Sequence, residues 1–295
     1  MTLLEFLQQS NVILLDGGMG TQLAKRGLEM GGQNCLSNPE GVAAVHKDYV
    51  QAGSNLLITN TLTMNRAYIE THGLDIDVKA VNLAGAQLAK QAIGECAQSD
   101  RPQYVLGDIS STGQLLQPYG DMSEDAAYES FKEQAAYLAE GGVDGFIVET
   151  MISLQETLCA LRACKDAAAG LPVIVSLSFA TTKRGGRTTM GDAAEKIAQA
   201  LTEAGANAIG TNCGDLTPLE MAEVVGTLKG ATSLPIAAQP NAGKPRLEGD
   251  QTIFDMGPEE FAQGVSACIA AGATLVGGCC GTSPAHIKAV AATVC

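Results

Sequence analysis

The sequence is poor in aromatic and basic residues and has no long apolar run. It contains no tryptophan and 4% aromatic residues, which disfavours an aromatic cage for a quaternary ammonium ligand. Its 18 lysines and arginines face 32 acidic residues, for a net charge of −14 without a basic cluster, so nucleic acid is not expected as a partner. No apolar stretch reaches membrane-spanning length, and the first residues lack the pattern of a signal peptide. We therefore expect a soluble, cytoplasmic protein with no membrane association.

The chain has nine cysteines, two of them adjacent. Without an export signal, this number predicts a reducing compartment in which thiols are free or bound to metal. Cys279 and Cys280 are poor disulfide partners for each other, because neighbouring side chains reach the required geometry only with backbone strain. Two glycines precede the pair and one follows it, so the backbone can direct both sulfurs to one point. The segment is typical of a metal site.

Zinc suits this pattern once a third cysteine is added. Cys213 ends an earlier predicted strand, and three thiolates leave one of the four tetrahedral positions of zinc open. An open position indicates a catalytic zinc and offers a place for a substrate thiol. Cys213, Cys279 and Cys280 are therefore predicted as catalytic residues and zinc ligands.

Short β-branched runs recur along the chain, each followed by an alanine-rich amphipathic stretch. They are apolar throughout rather than alternating, which is typical of a parallel sheet covered on both faces. Eight such units without a linker predict an α/β fold, a single (β/α)8 TIM barrel over residues 1–295. A doubly wound open sheet is the alternative, although no Gly-x-Gly-x-x-Gly turn follows the first strand. The predicted strands are Val12–Gly17, Asn55–Asn60, Tyr104–Ile109, Gly145–Thr150, Val173–Phe179, Ala208–Cys213, Ile236–Asn241 and Thr274–Cys279.

Polar residues fall at the ends of these strands. In a barrel, the carboxyl ends of the strands form the active site, and a carboxylate there is costly to bury without a partner. For Asp108 no motif decides between a role in the site and capping of the next helix. The residues at the strand ends are Asp16, Asn60, Asp108, Glu149, Ser178, Asn212, Cys213, Asn241, Cys279 and Cys280.

A glycine-rich turn follows Asp16 and leads into a predicted helix. Exposed backbone amides and the helix dipole favour an anion at such a turn. Asp16 and Glu149 beside this anion site would suit a zwitterionic amino acid, with its ammonium group on the two carboxylates. Together with a zinc that has one open position, the pattern predicts an amino acid carrying a thiol as the substrate.

Taken together, six segments of the chain resemble the homocysteine S-methyltransferase family. The resemblance runs from about Val12 to Val290, and the double-cysteine segment is its most specific part. The loop Gly186-Arg187-Thr188 and the segment Pro240-Asn241-Ala242-Gly243 make the chain look most like the branch with the homocysteine-binding barrel of cobalamin-dependent methionine synthase. The segments are Asp16-Gly17-Gly18-Met19-Gly20-Thr21, Thr59-Asn60-Thr61, Glu149-Thr150, Asn212-Cys213, Pro240-Asn241-Ala242-Gly243 and Gly277–Thr282.

The resemblance implies methyl transfer to the thiolate of homocysteine, giving methionine. Zinc would be held by the three cysteines, with the homocysteine sulfur as fourth ligand. Asp16 and Glu149 would hold the amino group, and Asn241 would lie in the same pocket and support the ligand or the zinc shell. The carboxylate would bind the backbone amides of Gly18, Met19, Gly20 and Thr21.

Several methyl donors and two other functions stay open at this point. The branch resemblance favours a methylcorrinoid such as methylcobalamin, carried on a separate corrinoid protein in trans because 295 residues leave no room for folate and cobalamin domains. Direct use of S-methylmethionine or S-adenosylmethionine is the alternative. A barrel lyase or aldolase using Asp16 and Glu149 is another, although no lysine lies in a predicted strand to form a Schiff base. A non-catalytic module that binds zinc or a corrinoid protein is the last.

Overall fold

The computed structural model describes residues 1–9, 12–96, 101–249 and 251–294. Every predicted strand run contains an observed strand, and four short strands that the sequence did not predict lie in loops. The strands of the described residues are β1 (Ile13–Leu14), β2 (Leu56–Ile58), β3 (Tyr104–Ile109), β4 (Gly145–Met151), β5 (Val173–Leu177), β6 (Phe179–Thr181), β7 (Arg187–Thr188), β8 (Ala208–Asn212), β9 (Ile236–Gln239), β10 (Arg246–Glu248), β11 (Gln251–Ile253) and β12 (Leu275–Val276).

Eight of these strands form a parallel barrel. They pair in the order β1, β12, β9, β8, β5, β4, β3, β2, and a parallel bridge between Leu15 and Leu56 joins the two ends of the sheet. The remaining strands form two antiparallel hairpins, β6 with β7 and β10 with β11. The predicted (β/α)8 barrel is confirmed, and the open-sheet alternative is wrong.

Helices connect the strands. Ser123 caps the helix that follows β3 by accepting a hydrogen bond from the backbone of Ala126, as a serine before an acidic first turn predicts. No helix in the described ranges is both long and apolar enough to span a membrane. The helices are α1 (Leu3–Leu7), α2 (Met19–Ala24), α3 (Asn34–Ser37), α4 (Pro39–Ala52), α5 (Arg66–Thr71), α6 (Val78–Cys96), α7 (Glu124–Glu140), α8 (Leu154–Ala167), α9 (Ala194–Glu203), α10 (Pro218–Ala231), α11 (Pro258–Ala270) and α12 (Pro284–Val294).

The core has two layers, which explains why the strands are apolar on both faces. One layer lies between the sheet and the surrounding helices. The other fills the barrel interior, where Ile147 of β4 and Ile174 of β5 pack with Leu3, Phe6 and Leu7 of α1. Since α1 packs in this inner cluster, the amino-terminal part of the interior is filled with apolar side chains. Polar chemistry is therefore confined to the carboxyl ends of the strands.

Candidate active site

A cavity of about 280 Å³ opens at the carboxyl ends of the barrel strands. Pockets of a few hundred cubic ångströms are the usual size for small-molecule sites. The described lining contains carboxyl, thiol and amide side chains but no lysine, arginine or histidine. The lining residues that concern the chemistry are Asp16, Gly18, Met19, Gly20, Thr21, Asn60, Asp108, Glu149, Gln239, Cys279 and Cys280.

The three predicted cysteines meet at one edge of this cavity. Their sulfur atoms all lie within 4.8 Å of one another, and the Sγ atoms of Cys213 and Cys280 are 4.0 Å apart. Tetrahedral zinc with bonds of about 2.3 Å places two thiolate sulfurs roughly 3.8 Å apart. The residues present therefore fit a zinc ion bound by three thiolates.

The local backbone directs these sulfurs to one point. Cys213 has φ +54°, a left-handed conformation that is strained for a residue with a side chain. After β12 the chain leaves the regular ladder but stays anchored, because Cys279 donates its backbone N–H to the oxygen of Pro240 at 2.9 Å. Gly281 has φ +79°, which supplies the turn that the sequence predicted after the cysteine pair.

The three thiols do not ionise independently. Hydrogen bonds from the thiols of Cys279 and Cys280 hold the pKa of Cys213 well below its usual range. The same hydrogen bonds to Cys213 raise the pKa of Cys279 and of Cys280. In the metal-free protein, the three sulfurs thus share the negative charge of one thiolate through hydrogen bonds. A cation is needed before all three sulfurs can be negative.

Three buried carboxyl groups line the same cavity. Asp16 accepts a hydrogen bond from the backbone N–H of Ile58 at 2.9 Å, and Glu149 accepts long hydrogen bonds of 3.5 Å from the amides of Asn212 and Gln239. The side chain of Asp108 accepts none within the described structure, and its buried Oδ1 has no partner. Helix capping is therefore not the role of the Asp108 carboxyl.

Burial shifts all three acids in the same direction. Loss of hydration raises the pKa of Asp16 well above its usual range, with the charge of Glu149 adding to the effect. Burial and the charges of Glu149 and Asp16 do the same to the pKa of Asp108. The pKa of Glu149 rises to about 8, through burial and the nearby charge of Cys213. A cationic group entering this cavity would allow these carboxyls to ionise.

The glycine turn after β1 is shaped by close contacts. A Cβ atom on Gly17 would lie 2.7 Å from Oγ1 of Thr282, and one on Gly18 would lie 2.6 Å from the backbone oxygen of Cys279. The turn thus packs directly against the cysteine segment. The N–H of Gly18 already donates to Oγ1 of Thr282 at 2.9 Å, so the amides left for a ligand are those of the first turn of α2.

Asn241, predicted in the same pocket, lies beside Cys213 and not among the residues that line the cavity. Its Nδ2 donates to the oxygen of Gly214 at 3.0 Å, while its buried Oδ1 has no hydrogen-bond partner among the residues that the structure describes. Its side chain also contributes to the low pKa of Cys213. This position suits support of a metal ligand.

Sequence reasoning missed two contributors to the site. Gln239 precedes the Pro-Asn pair and contacts Glu149, and a polar residue closing an apolar strand could have indicated it. Tyr49 of α4 donates a hydrogen bond to the oxygen of Gly18 at 3.3 Å. The sequence around Tyr49 does not indicate this contact, because Tyr49 lies on a helix outside the barrel.

Comparisons with known proteins place the chain in one group. A family model described as homocysteine S-methyltransferase matches residues 13–294. The chain is 32% identical over 308 residues to methionine synthase of Mycobacterium tuberculosis, covering 99% of this chain and 25% of that protein. It also resembles the crystal structure of the homocysteine methyltransferase MmuM from Escherichia coli in its metallated form, with a TM-score of 0.80, 25% identity and 98% of both chains covered. The apo form of MmuM matches with a TM-score of 0.74. The chain thus spans about a quarter of the length of the curated relatives it matches.

Proposed function

The chain belongs to the homocysteine S-methyltransferase family, as its sequence predicted, and from this premise we propose that it methylates the sulfur of homocysteine to give methionine. The predicted membership of this methyltransferase family is confirmed. We further propose that the homocysteine-binding barrel occupies residues 1–295 as one domain, that zinc is its metal, and that a methylcorrinoid is its methyl donor.

One observation carries the proposal: thiol ligands for a metal and buried carboxyls for a cation share a single cavity. Cys279, Cys280, Asp16 and Glu149 all line it. Homocysteine has a sulfur at one end and an ammonium group at the other. A lyase or aldolase that used only the carboxyls would not require three cysteine sulfurs within 4.8 Å of each other.

The cysteine cluster accounts for the metal and the nucleophile. Cys213, Cys279 and Cys280 would hold zinc and leave its fourth position for the substrate sulfur. Zinc bound there would lower the pKa of the substrate thiol, so that it is present as a thiolate at neutral pH. Asn241, which borders Cys213 and whose Oδ1 has no hydrogen-bond partner in the described part of the chain, would support this ligand shell.

The remaining site residues orient homocysteine. Asp16 and Glu149 would accept hydrogen bonds from its ammonium group, which offsets the cost of ionising both carboxyls in a buried cavity. The amides of Met19, Gly20 and Thr21 at the start of α2 would bind its carboxylate, and Gly18 would allow that turn to lie close to the cysteines. Held at both ends, the thiolate sulfur attacks the methyl carbon as the bond to the donor breaks. The neutral thioether formed is a weaker ligand than a thiolate and can leave.

A methylcorrinoid such as methylcobalamin, carried on a separate corrinoid protein, is the donor we favour over S-methylmethionine or S-adenosylmethionine. The 32% identity to methionine synthase supports this branch. The cavity rim supports it too, since Met30 and Leu62 line the opening and are 64% and 36% exposed. An exposed apolar rim suits a large donor that covers the opening from outside.

Elemental analysis combined with a methylation assay tests the proposal. The protein should hold about one zinc per chain and methylate homocysteine from methylcobalamin. Serine at Cys213, Cys279 or Cys280 should each remove zinc and activity, because two thiolates and a hydroxyl bind zinc far more weakly. Cys268, a buried cysteine of α11 outside the cluster, provides the control: its replacement by serine should leave zinc in place. Stoichiometric zinc in all three cluster variants would disprove the three-cysteine site.

A further inference from the structure

Asn212, the last residue of β8, is completely buried and contacts two residues that line the cavity, Glu149 and Cys279. Its Oδ1 accepts hydrogen bonds from the backbone N–H of Thr150 at 2.9 Å and from Oγ of Ser176 at 2.8 Å. Its Nδ2 donates to Oγ1 of Thr150 at 2.8 Å. Both ends of the amide are thus held, and the side chain cannot rotate without breaking three hydrogen bonds of normal length.

The contacts to Thr150 bear directly on Glu149. Thr150 has φ +59°, which is unfavourable for a β-branched residue. The pairing of β4 with β5 also shifts register between Val148 and Met151, across this position. Because Asn212 bonds both the backbone and the side chain of Thr150, it stabilises this strained conformation. The direction in which Glu149 enters the cavity depends on that conformation.

The second hydrogen of the amide reaches both chemical groups of the site. Nδ2 of Asn212 lies 3.5 Å from Oε2 of Glu149 and 3.9 Å from Sγ of Cys279. Both distances are long, and the first Nδ2 hydrogen is already used by Thr150, so this hydrogen is shared between the carboxylate and the sulfur. One rigid amide therefore touches the group proposed to hold the ammonium and a sulfur proposed to hold the metal.

We propose that Asn212 is a positioning residue that fixes the separation between Glu149 and Cys279, and that this separation selects the four-carbon amino thiol over cysteine. The inference rests on the proposed function. Cysteine is shorter than homocysteine by one methylene, so it cannot place its sulfur and its ammonium on both groups at once when their spacing is fixed. In a hydrophobic pocket, a missing methylene changes selectivity by roughly 10- to 200-fold, and we expect an effect of that order here.

Ligand competition on an Asn212→Ser variant tests this inference. The protein is loaded with cobalt(II), because the absorption bands of cobalt thiolates report binding of a thiol without turnover. Dissociation constants are measured directly for homocysteine and by competition for cysteine. The variant should bind homocysteine about tenfold more weakly, while cysteine, which never made both contacts, should change less than about threefold. The selectivity ratio, which is the dissociation constant for cysteine divided by that for homocysteine, should therefore fall several-fold. The absorption bands of the homocysteine complex should also shift.

Two further variants control the experiment. Asn207 precedes the same strand at its opposite end, where its Oδ1 accepts from the backbone N–H of Val173 at 2.8 Å, so Asn207→Ser removes a comparable hydrogen bond far from the cavity and should leave the ratio unchanged. Asn212→Asp keeps the acceptor for Thr150 but loses both Nδ2 donors, and it should lower the ratio as serine does. It also provides the test if the serine variant does not fold.

The outcomes separate this inference from the function on which it rests. If the unmodified protein binds no homocysteine, the proposed function is wrong. If homocysteine binds but Asn212→Ser weakens both thiols equally, or leaves the affinity for homocysteine unchanged, the spacing is not set by Asn212. Loss of metal from both the serine and the aspartate variants would assign Asn212 to metal retention alone and would also overturn the inference.

Discussion

At the scale of single residues, the buried carboxyls of Asp16 and Glu149 offer a direct test of substrate binding. Changing either to its amide should weaken homocysteine binding about ten- to hundredfold, because a charge-assisted hydrogen bond to an ammonium group is worth about 1.5–3 kcal/mol. Zinc should stay in place, since neither residue is a ligand. Titration calorimetry on Asp16→Asn and Glu149→Gln, with zinc measured in the same samples, checks both points. Unchanged affinity in both variants would give these carboxyls a structural role only.

Single residues also show where sequence reasoning succeeds and where it stops. The cysteine pair, Asp16 and Glu149 were predictable because each ends an apolar strand, and a barrel brings strand ends together. The contacts of Asn212 with Thr150 and Cys279 were not, because they join residues more than 60 positions apart. Thr150 lies on β4 and Cys279 follows β12, and neither strand is a neighbour of β8. Pattern along the chain reports which face is buried, but not which buried polar groups meet.

At the scale of elements, the packing of the turn between β1 and α2 can be tested by alanine substitutions at two glycines, for which we expect different effects on stability. In Gly18→Ala the new Cβ would lie 2.6 Å from the backbone oxygen of Cys279, whereas in Gly20→Ala it would lie 3.5 Å from Met30. The first change should cost about 1–3 kcal/mol of unfolding free energy, as overpacking does. The second should be neutral or slightly stabilising, because alanine favours a helix. Denaturant unfolding of both variants measures the difference, and equal stabilities would contradict the close packing of the turn.

Helix α4 contains a histidine that should make the fold sensitive to acid. His46 is fully buried with no partner for either ring nitrogen within the described residues, and burial lowers its pKa to about 4. The histidine stays neutral in the folded protein but gains a proton near pH 6.5 when unfolded. Its contribution to stability is therefore complete above pH 6.5 and is lost as the pH falls towards 4.

The expected size of this effect at pH 5 is about 2 kcal/mol of unfolding free energy. In His46→Leu, the loss of stability between pH 7 and pH 5 should be smaller than in the unmodified protein by that amount. Urea unfolding at both pH values gives the comparison. Between pH 8 and pH 7 the unfolding free energies of the two proteins should change by the same amount. If they also change equally down to pH 5, His46 gains its proton in the folded state as well.

Elements differ in how well the sequence predicts them. The eight barrel strands were found because burial on both faces leaves a continuous apolar run. The predicted β1 and β12 are longer than the observed strands. Beyond β12, Gly278 donates its backbone N–H to the oxygen of Asp16 at 2.9 Å, where the chain turns towards the glycine turn. The hairpins β6–β7 and β10–β11 escaped prediction because strands of two or three residues are too short for a periodic pattern.

At the scale of the whole molecule, the identity of the methyl donor determines what covers the opening of the cavity during methyl transfer. If methyl comes from a corrinoid on another protein, the isolated chain should turn over with methylcobalamin or a methylated corrinoid protein. S-Methylmethionine and S-adenosylmethionine should be at least about tenfold slower, because an open rim lacks contacts that hold a small donor in line. Rates of methionine formation from this panel give the answer, with Cys280→Ser as the blank. Efficient turnover with a sulfonium alone would overturn the corrinoid preference and leave the thiolate chemistry intact.

The pairing of β1 with β12 has a consequence for how the protein folds. This pairing joins residue 13 to residue 275, and it brings the turn after Asp16 against the segment that carries two of the three proposed metal ligands. Contacts between such distant positions form late, since a long loop must close first. The proposed metal site, which needs Cys213, Cys279 and Cys280 together, should therefore assemble only after the barrel has closed, and zinc uptake would then report that closure.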